Sequence, residues 1–346
     1  MRVLMISNPN STSQTEELFR RIVPPLRAVP GLELLVKFTH FAGHAEQMVR
    51  GLSRADFDVI LAVGGDGTVN EIVNGLLGPA ADAPDIKAER LPALGIIPTG
   101  SANVFVRALG FPNTPVEATH VLARLLERDI RRTIALGTWN ERWFAVNAGF
   151  GLDADVLARV DRAREQGFAA TPLRYLSVSV QAYARARIKP PRINVKAIGR
   201  DGAVLTVREA PLIFTSNTNP WTFLGPLPVV TNPGNSFDGG LGLFGLSDLG
   251  GIHGLVGMAH LMGVDQRRWL NKITQARTIH FDDAKEIELT CPQPDRFQAD
   301  GESEGVFTRV RLTSVPGAIE VYAPRKASEP YRRSGREILR DLIRIK

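Results

Sequence analysis

Short apolar runs alternate with amphipathic segments over roughly the first 132 residues of the chain. The apolar runs predict buried strands, and the segments between them repeat apolar positions at helical spacing. This alternation predicts a parallel sheet with helices on both faces, the doubly wound α/β class, with ligand loops at the carboxyl ends of the strands. The predicted strands are 2–7, 32–38, 57–63 and 94–97, and the predicted helices are 13–26, 43–52, 104–109 and 115–127.

The pattern changes after residue 132, where strand-like stretches separated by turn residues dominate. They predict an antiparallel, β-sandwich-like second domain. Its predicted strands are 142–147, 192–198, 203–208, 211–216, 240–246, 278–282, 286–290, 308–312 and 318–322. Helices are predicted at 154–164, 173–188 and 252–271, and the tail 334–345 reads as an amphipathic helix. The predicted domains are therefore 1–135 and 136–324, followed by a basic C-terminal helix at 325–346.

The composition supports an ordinary globular protein. The 346 residues suffice for two domains at ~150 residues each, and 44% of them are hydrophobic and 23% charged. No apolar run approaches the ~20 residues of a membrane span, and the apolar part of 1–9 is too short for a signal peptide. The single cysteine, Cys291, excludes an internal disulfide and is predicted to be buried. We expect a cytoplasmic protein.

The positive charge is concentrated in two segments. Residues 158–192 carry eight basic residues against two acidic ones, and residues 322–346 carry eight against three, in a chain of net charge +6. This distribution indicates a localised anionic partner, although a solvated helix face would give the same pattern. Nucleic acid is not expected, because no recognised nucleic-acid-binding module accompanies the basic residues.

A glycine-rich loop, Gly64-Gly65-Asp66-Gly67-Thr68, follows the predicted strand 57–63 and leads directly into a helix. Backbone N–H groups and the positive helix end make this arrangement a binding site for phosphate. Asp66 would polarise a hydroxyl or hold a phosphate-bound magnesium. The alternative is a tight strand-to-helix turn without a ligand. A second loop of the same kind, Pro98–Asn103, follows the strand 94–97.

Glu302 lies in a glycine-flanked turn, 298–305, in the second domain. Alone, the turn is typical of an acidic hairpin loop. In the company of two phosphate loops, its carboxylate becomes a candidate to receive the proton of an acceptor hydroxyl during phosphoryl transfer.

Seven short motifs occur along the chain: Asn8-Pro9, Thr39 with Gly43-His44-Ala45, Gly64 to Glu71, Pro98 to Asn103, Asn147 to Ala154, Asp238 to Leu241, and Asp300 to Glu302. In this order and spacing they resemble the motifs of the diacylglycerol kinase-like lipid kinases. The chain is similar to the soluble bacterial branch of that superfamily, which also contains the sphingosine kinases.

The resemblance implies a phosphofructokinase/NAD kinase-like ATP-binding domain at 1–135 and a lipid-binding β-domain at 136–324, with a cleft between them. It implies Glu302 as general base and Asp66 as the acidic residue of the nucleotide loop, with ATP and Mg²⁺ as cofactors. The residues that fall where the family contacts ATP are Asn8, Pro9, Thr39, Gly64, Gly65, Asp66, Gly67, Thr68, Asn70, Glu71, Gly100, Ser101 and Asn103.

The chain also departs from the family pattern. Ala135 and Pro233 stand where relatives often carry acidic residues, and Val104 follows Asn103 where many place Asp. A structural magnesium site is predicted from Asp238, Asn235 and Gly240, although a hard cation prefers more than one carboxylate.

The predicted function is an ATP- and Mg²⁺-dependent kinase that phosphorylates a hydroxyl of diacylglycerol or a related long-chain lipid alcohol. Its predicted partners are the lipid, the anionic inner face of the membrane, on which the basic segments would dock the protein peripherally, and a second copy in a homodimer. Two alternatives stay open: an NAD kinase-like or phosphofructokinase-like enzyme, and a nucleotide-binding regulatory or lipid-carrier protein with little turnover.

Overall fold

The fold was analysed in a computed structural model, which describes residues 1–9, 15–150, 191–224, 227–247 and 278–324. These residues form two compact units, and each is described by itself. The first unit comprises Met1–Ala145 and returns for 315–324, and the second comprises Val146–Ser314. The first unit thus runs beyond the predicted boundary at 135. It also takes up 315–324, because the end of the last strand pairs there, with Val321 opposite Leu94.

The first unit contains a parallel sheet of four strands in the order β4-β3-β1-β2, flanked by helices. Strands β3 and β4 are buried along their whole length, as expected of central parallel strands covered on both faces. The strands are β1 Arg2–Ser7, β2 Glu33–Phe38, β3 Val59–Gly64 and β4 Ala93–Pro98, followed by the hairpin β5 Arg131–Trp139 and β6 Arg142–Phe144. The helices are α1 Glu16–Arg27, α2 His44–Val49, α3 Asp66–Leu77, α4 Val104–Ala108 and α5 Pro115–Glu127, with 3₁₀ turns at Ala80–Asp85 and Ala88–Arg90.

Helices α2 and α3 pack closely in the first unit. A Cβ on Gly75 of α3 would lie 2.4 Å from the carbonyl oxygen of Glu46 in α2, so only glycine permits this approach. On α1, the Thr15 side chain accepts a hydrogen bond from the Leu18 N–H at 3.1 Å and caps the helix. The doubly wound α/β class predicted for this part of the chain is confirmed.

The second unit is antiparallel and rich in strands, as predicted. Its order is β13-β10-β7-β14-β15, and β14 pairs β13 through its first residues, β8 through its middle and β7 through its last. The strands are β7 Asn147–Phe150, β8 Ile193–Gly199, β9 Val204–Ala210, β10 Leu212–Ser216, β11 Thr222–Leu224, β12 Leu227–Val229, β13 Leu241–Leu246, β14 Thr278–Ala299 and β15 Glu302–Tyr322. The predicted helices 154–164, 173–188 and 252–271 and the tail helix lie outside the described residues.

Strands β14 and β15 are each longer than predicted. The sequence suggested two short strands in place of each, 278–282 and 286–290 within β14 and 308–312 and 318–322 within β15. Pro292 and Pro294 lie beyond the strands predicted within β14. Proline donates no ladder hydrogen bond, and the β14–β15 register accordingly shifts between Thr290 and Asp295. The strand continues through this irregularity instead of ending. Cys291 beside it is buried, as predicted, and burial raises the pKa of its thiol to about 11.

Candidate functional site

Four loops follow the parallel strands of the first unit at one edge of the sheet. The Asn8 N–H donates to the Val63 carbonyl at 3.1 Å, the Thr39 N–H to Ser7 at 2.9 Å, and the Thr99 N–H to Gly64 at 3.0 Å. The chain passes from β1 to β2 on one side and then crosses to β3 on the other side of β1. Such a switch point opens a crevice at the carboxyl edge, where open α/β sheets bind ligands. The predicted nucleotide residues all follow strands that end here.

The two glycine loops touch through their backbones. A Cβ on Gly100 would lie 2.5 Å from the Gly65 Cα, and a Cβ on Gly65 would lie 3.1 Å from the Gly100 Cα. Asn103 closes the second loop on itself, since its Oδ1 accepts the Gly100 N–H at 2.9 Å and its Nδ2 donates to the Gly100 carbonyl at 2.8 Å. Asn103 is buried and takes a left-handed φ of 50°. The sequence predicted both loops but not their contact.

Helix α3 begins inside the first glycine loop. Gly65 stands at its N-cap and has no side chain to bond the N–H groups of the first turn. Thr68 packs over Gly64, where a Cβ would lie 2.3 Å from the threonine Oγ1. A 12-residue helix that starts at the edge crevice offers N–H donors and its positive dipole end to an anion.

Asp66 connects the two glycine loops. Its Oδ2 accepts the Val104 N–H and its Oδ1 accepts the Phe105 N–H, each at 2.9 Å, at the start of α4. Burial raises the pKa of Asp66 above its ordinary value, while the hydrogen bonds from Phe105 and Val104 oppose that rise. The carboxylate therefore holds the second loop in place, a role that sequence reasoning missed.

Glu71 holds the loop after β2 in the same way that Asp66 holds the second glycine loop. Its Oε1 accepts the Gly43 N–H at 2.8 Å, and its Oε2 accepts the Ala45 N–H at 3.0 Å. Gly43 needs its glycine identity here, because its φ of 82° is left-handed. The segment that carries Thr39 is thereby attached to α3. The sequence analysis treated Gly43 to Ala45 only as a family motif and did not predict their contact with Glu71.

Asn70 and Asn74 attach the β5–β6 hairpin to α3. Both Nδ2 groups donate to the Trp143 carbonyl at 3.1 Å, and the Asn74 Oδ1 accepts the Trp143 N–H at 3.0 Å. Asn70 was predicted to contact ATP, and in the structure its amide nitrogen makes this internal contact. Asn74 and Trp143 were missed, although an asparagine on the apolar face of a helix signals a buried polar contact.

The other predicted nucleotide residues differ in their exposure. Pro9 and Ser101 are exposed, and Asn8 and Gly67 are half-buried. Thr39 and Thr68 are buried.

In the second unit, a tight hairpin turn at Asp300-Gly301 holds Glu302. Both turn residues have positive φ, 50° and 87°, as a type I′ hairpin requires. Ala299 pairs with Glu302 directly across the turn. The buried Asp300 Oδ1 accepts the N–H groups of Val146 at 2.7 Å and Asn147 at 3.1 Å. The turn is thus fastened to the start of β7.

Gln298 fixes the same turn from its other side. This fully buried side chain donates through Nε2 to the Asn147 Oδ1 at 3.0 Å and accepts the Gly301 N–H at 3.2 Å. Glu302 itself is exposed. An exposed carboxylate on a fixed backbone suits a proton acceptor. The sequence pointed to Glu302 but not to Gln298 and Asn147, which support it.

The predicted metal residues supply few oxygen ligands. Asp238 is exposed, and the Asn235 Nδ2 donates to the carbonyls of Ser216 at 2.8 Å and Thr218 at 3.3 Å. The Gly240 N–H donates to the Asp283 Oδ1 at 2.6 Å. Within the described residues, no three His, Cys, Asp or Glu side chains are grouped to hold a metal. One carboxylate does not fit a protein-only magnesium site.

Replacing Gly100 by alanine is expected to separate the two glycine loops, because the new Cβ would meet the Gly65 backbone at 2.5 Å. We expect the unfolding free energy to fall by about 1–3 kcal/mol, and nucleotide binding to weaken in calorimetry. Gly234→Ala is the matched control, since its Cβ would meet only the Asp282 Oδ2, at 3.7 Å. Equal nucleotide affinity in the two variants would contradict the importance of the loop contact.

Comparison with solved structures places the fold. A crystal structure of a diacylglycerol kinase from Bacillus anthracis aligns over 94% of this chain and 98% of its own, with a TM-score of 0.67 and 22% identity. At that identity the likeness establishes the fold alone. A second Bacillus anthracis structure aligns over the same shares with a TM-score of 0.69 and 23% identity.

Comparison with known sequences matches part of the chain. Residues 2–152 match the diacylglycerol kinase catalytic domain. Identity is 40% over 126 residues with a protein named probable lipid kinase YegS-like from Chromohalobacter salexigens, 35% over 152 residues with a diacylglycerol kinase of Bacillus subtilis, and 32% over 176 residues with sphingosine kinase 1 of Arabidopsis thaliana. These alignments cover 36%, 43% and 49% of this chain and 37%, 46% and 35% of the relatives. The resemblance predicted from the motifs is confirmed: this chain is similar to the diacylglycerol kinase-like lipid kinases, and residues 2–152 match their catalytic domain.

Proposed function

We propose that this protein is an ATP- and Mg²⁺-dependent lipid kinase that transfers the γ-phosphoryl group to a hydroxyl of diacylglycerol or a related long-chain lipid alcohol. The observation that carries the proposal is the pair of glycine loops in backbone contact at the carboxyl edge of a parallel sheet. They lie within the segment that matches a diacylglycerol kinase catalytic domain.

The first unit supplies the nucleotide side. N–H groups at the start of α3 bind the phosphates, and the exposed Ser101 and the loop at Thr39 orient the nucleotide. Asp66 holds the second loop against the first, so that donors from both loops keep fixed positions. Mg²⁺ bound with ATP would neutralise charge on the phosphates.

The second unit supplies the proton acceptor. The Glu302 carboxylate takes the proton of the lipid hydroxyl as the hydroxyl oxygen bonds to the γ-phosphorus and the bond from phosphorus to the ADP oxygen breaks. Its hairpin is held by Asp300 and Gln298, which favours a constant position for the carboxylate.

Glu302→Gln is expected to lower lipid phosphorylation by about 100-fold or more while leaving ATP affinity unchanged, because the amide cannot accept the proton. The measurement is label transfer from γ-³²P-ATP to diacylglycerol, monoacylglycerol, sphingosine, ceramide and phosphatidylglycerol. Glu304→Gln, a carboxylate on the same strand, is the control and is expected to stay active.

Each alternative predicts a distinct result in that assay. A fully active Glu302→Gln would remove Glu302 from the mechanism. ATP binding by the wild type with no labelled lipid would favour the regulatory or carrier function, and labelling of NAD in place of lipid would favour the NAD kinase-like enzyme.

We also propose that the protein docks peripherally on the anionic inner face of the membrane through its two basic segments. Apart from Pro191–Arg192 and 322–324, these segments lie outside the described residues. Among the described helices, none is long and apolar enough to cross a membrane. Each Lys or Arg near an anionic leaflet contributes about 1 kcal/mol. A homodimer stays a prediction.

Vesicle flotation tests the docking. Binding is expected to rise with the phosphatidylglycerol content of the vesicles and to fall with added salt, because the attraction is electrostatic. Replacing Arg185, Arg187 and Lys189 together by glutamine is expected to weaken binding to anionic vesicles. Equal binding to neutral phosphatidylcholine vesicles would contradict the proposal.

A further inference from the structure

A stacked aromatic pair, an exposed Phe41 and a half-buried His44, lies just beyond the end of strand β2. Phe41 is 54% exposed, and its ring stacks on the His44 ring, with centroids 4.5 Å apart and planes 10° from parallel. Single exposed apolar residues are common on protein surfaces. This one differs because its ring is stacked on a neighbour and because it follows a strand at the ligand-binding edge of the sheet.

Hydrogen bonds preset the orientation of this pair. The His44 Nδ1 accepts the His40 N–H at 3.1 Å, and the His44 N–H donates to the Phe41 carbonyl at 3.2 Å. Glu71 binds the N–H groups of Gly43 and Ala45, the residues on either side of His44. The pair therefore loses little conformational entropy when a ligand stacks on Phe41.

The pair is also close to the phosphate loop. Strand β2 is separated from β3 by β1 alone, so their ends are about 10 Å apart at ~4.8 Å per strand. Glu71, which holds the turn, lies about 7–8 Å along α3 from its start at Asp66, by the helical rise. Both estimates put the segments on either side of Phe41, the end of β2 and the turn at Gly43 to Ala45, within about 10 Å of the start of α3.

We infer that Phe41, backed by His44, is the stacking surface for the nucleobase of the nucleotide whose phosphates bind the glycine loops. The inference rests on the proposed function, since it assumes that these loops hold a nucleotide. Aromatic side chains bind bases through the π-face, which every base has, so the contact adds affinity without selecting adenine over guanine. This surface was absent from the predicted site residues, which included Thr39 but neither aromatic neighbour.

Calorimetry with ATP and with inorganic tripolyphosphate tests the inference, because tripolyphosphate carries the charge without a base. In Phe41→Ala, ATP and GTP affinity should each fall by about tenfold or more, while tripolyphosphate affinity stays unchanged. Phe41→Tyr, in contrast to Phe41→Ala, should keep the ATP affinity of the wild type. Phe38→Ala is the matched control, since Phe38 is also exposed, at 43%, but its ring packs beside Phe19. It should bind ATP like the wild type.

Two results would overturn the inference: unchanged ATP affinity in Phe41→Ala, or an equal loss for ATP and tripolyphosphate, which would indicate a disturbed loop. The kinase proposal fails separately. If affinity depends on Phe41 but no lipid is phosphorylated, the stacking surface stands and the kinase does not. If lipid is phosphorylated while Phe41→Ala binds ATP normally, the kinase stands and the stacking surface does not.

Discussion

Two carboxylates on one helix hold two separate loops by their backbone N–H groups. Asp66 accepts from Val104 and Phe105, and Glu71 accepts from Gly43 and Ala45. Hydrogen bonds to a charged group contribute about 1.5–3 kcal/mol each, roughly twice the value of neutral ones. Since each loop follows a different strand, α3 fixes the geometry of the whole carboxyl edge.

The rest of the candidate site depends on this arrangement. The parallel sheet brings the loops to one edge. The close approach of Gly65 and Gly100 also requires the second glycine loop to keep its position, and the hydrogen bonds to Asp66 hold it there. The same device recurs in the second unit, where Asp300 accepts two N–H groups at the start of β7 and fastens the turn that carries Glu302. Acidic residues of the motifs therefore fix, through hydrogen bonds to backbone N–H groups, the segments that carry the candidate reactive groups.

The sequence predicted the four parallel strands of the first unit closely, because buried parallel strands are continuous apolar runs bounded by turns, but it missed β5. It also predicted the loops at Gly64 and Gly100 and the turn at Glu302, since glycine at fixed positions is a local signal. It ended the strands within β14 at residue 290, before Pro292 and Pro294, because the tolerance of a bulge depends on the partner strand. Local pattern likewise gave no sign of which distant N–H groups Asp66, Glu71 and Asp300 would bind, since those partners are set by tertiary packing.

Hydrogen exchange at the amides of Gly43 and Ala45 in Glu71→Gln, combined with ATP calorimetry, tests the central claim most directly. The glutamine keeps one acceptor oxygen but presents an amide donor in place of the other. We expect faster exchange at those two amides, unchanged exchange at Val104 and Phe105, and weaker ATP binding, with none of these changes in the control Glu17→Gln, a residue in the first turn of α1. Unchanged exchange at Gly43 and Ala45, or full ATP affinity despite faster exchange, would contradict the dependence of the nucleotide site on this carboxylate.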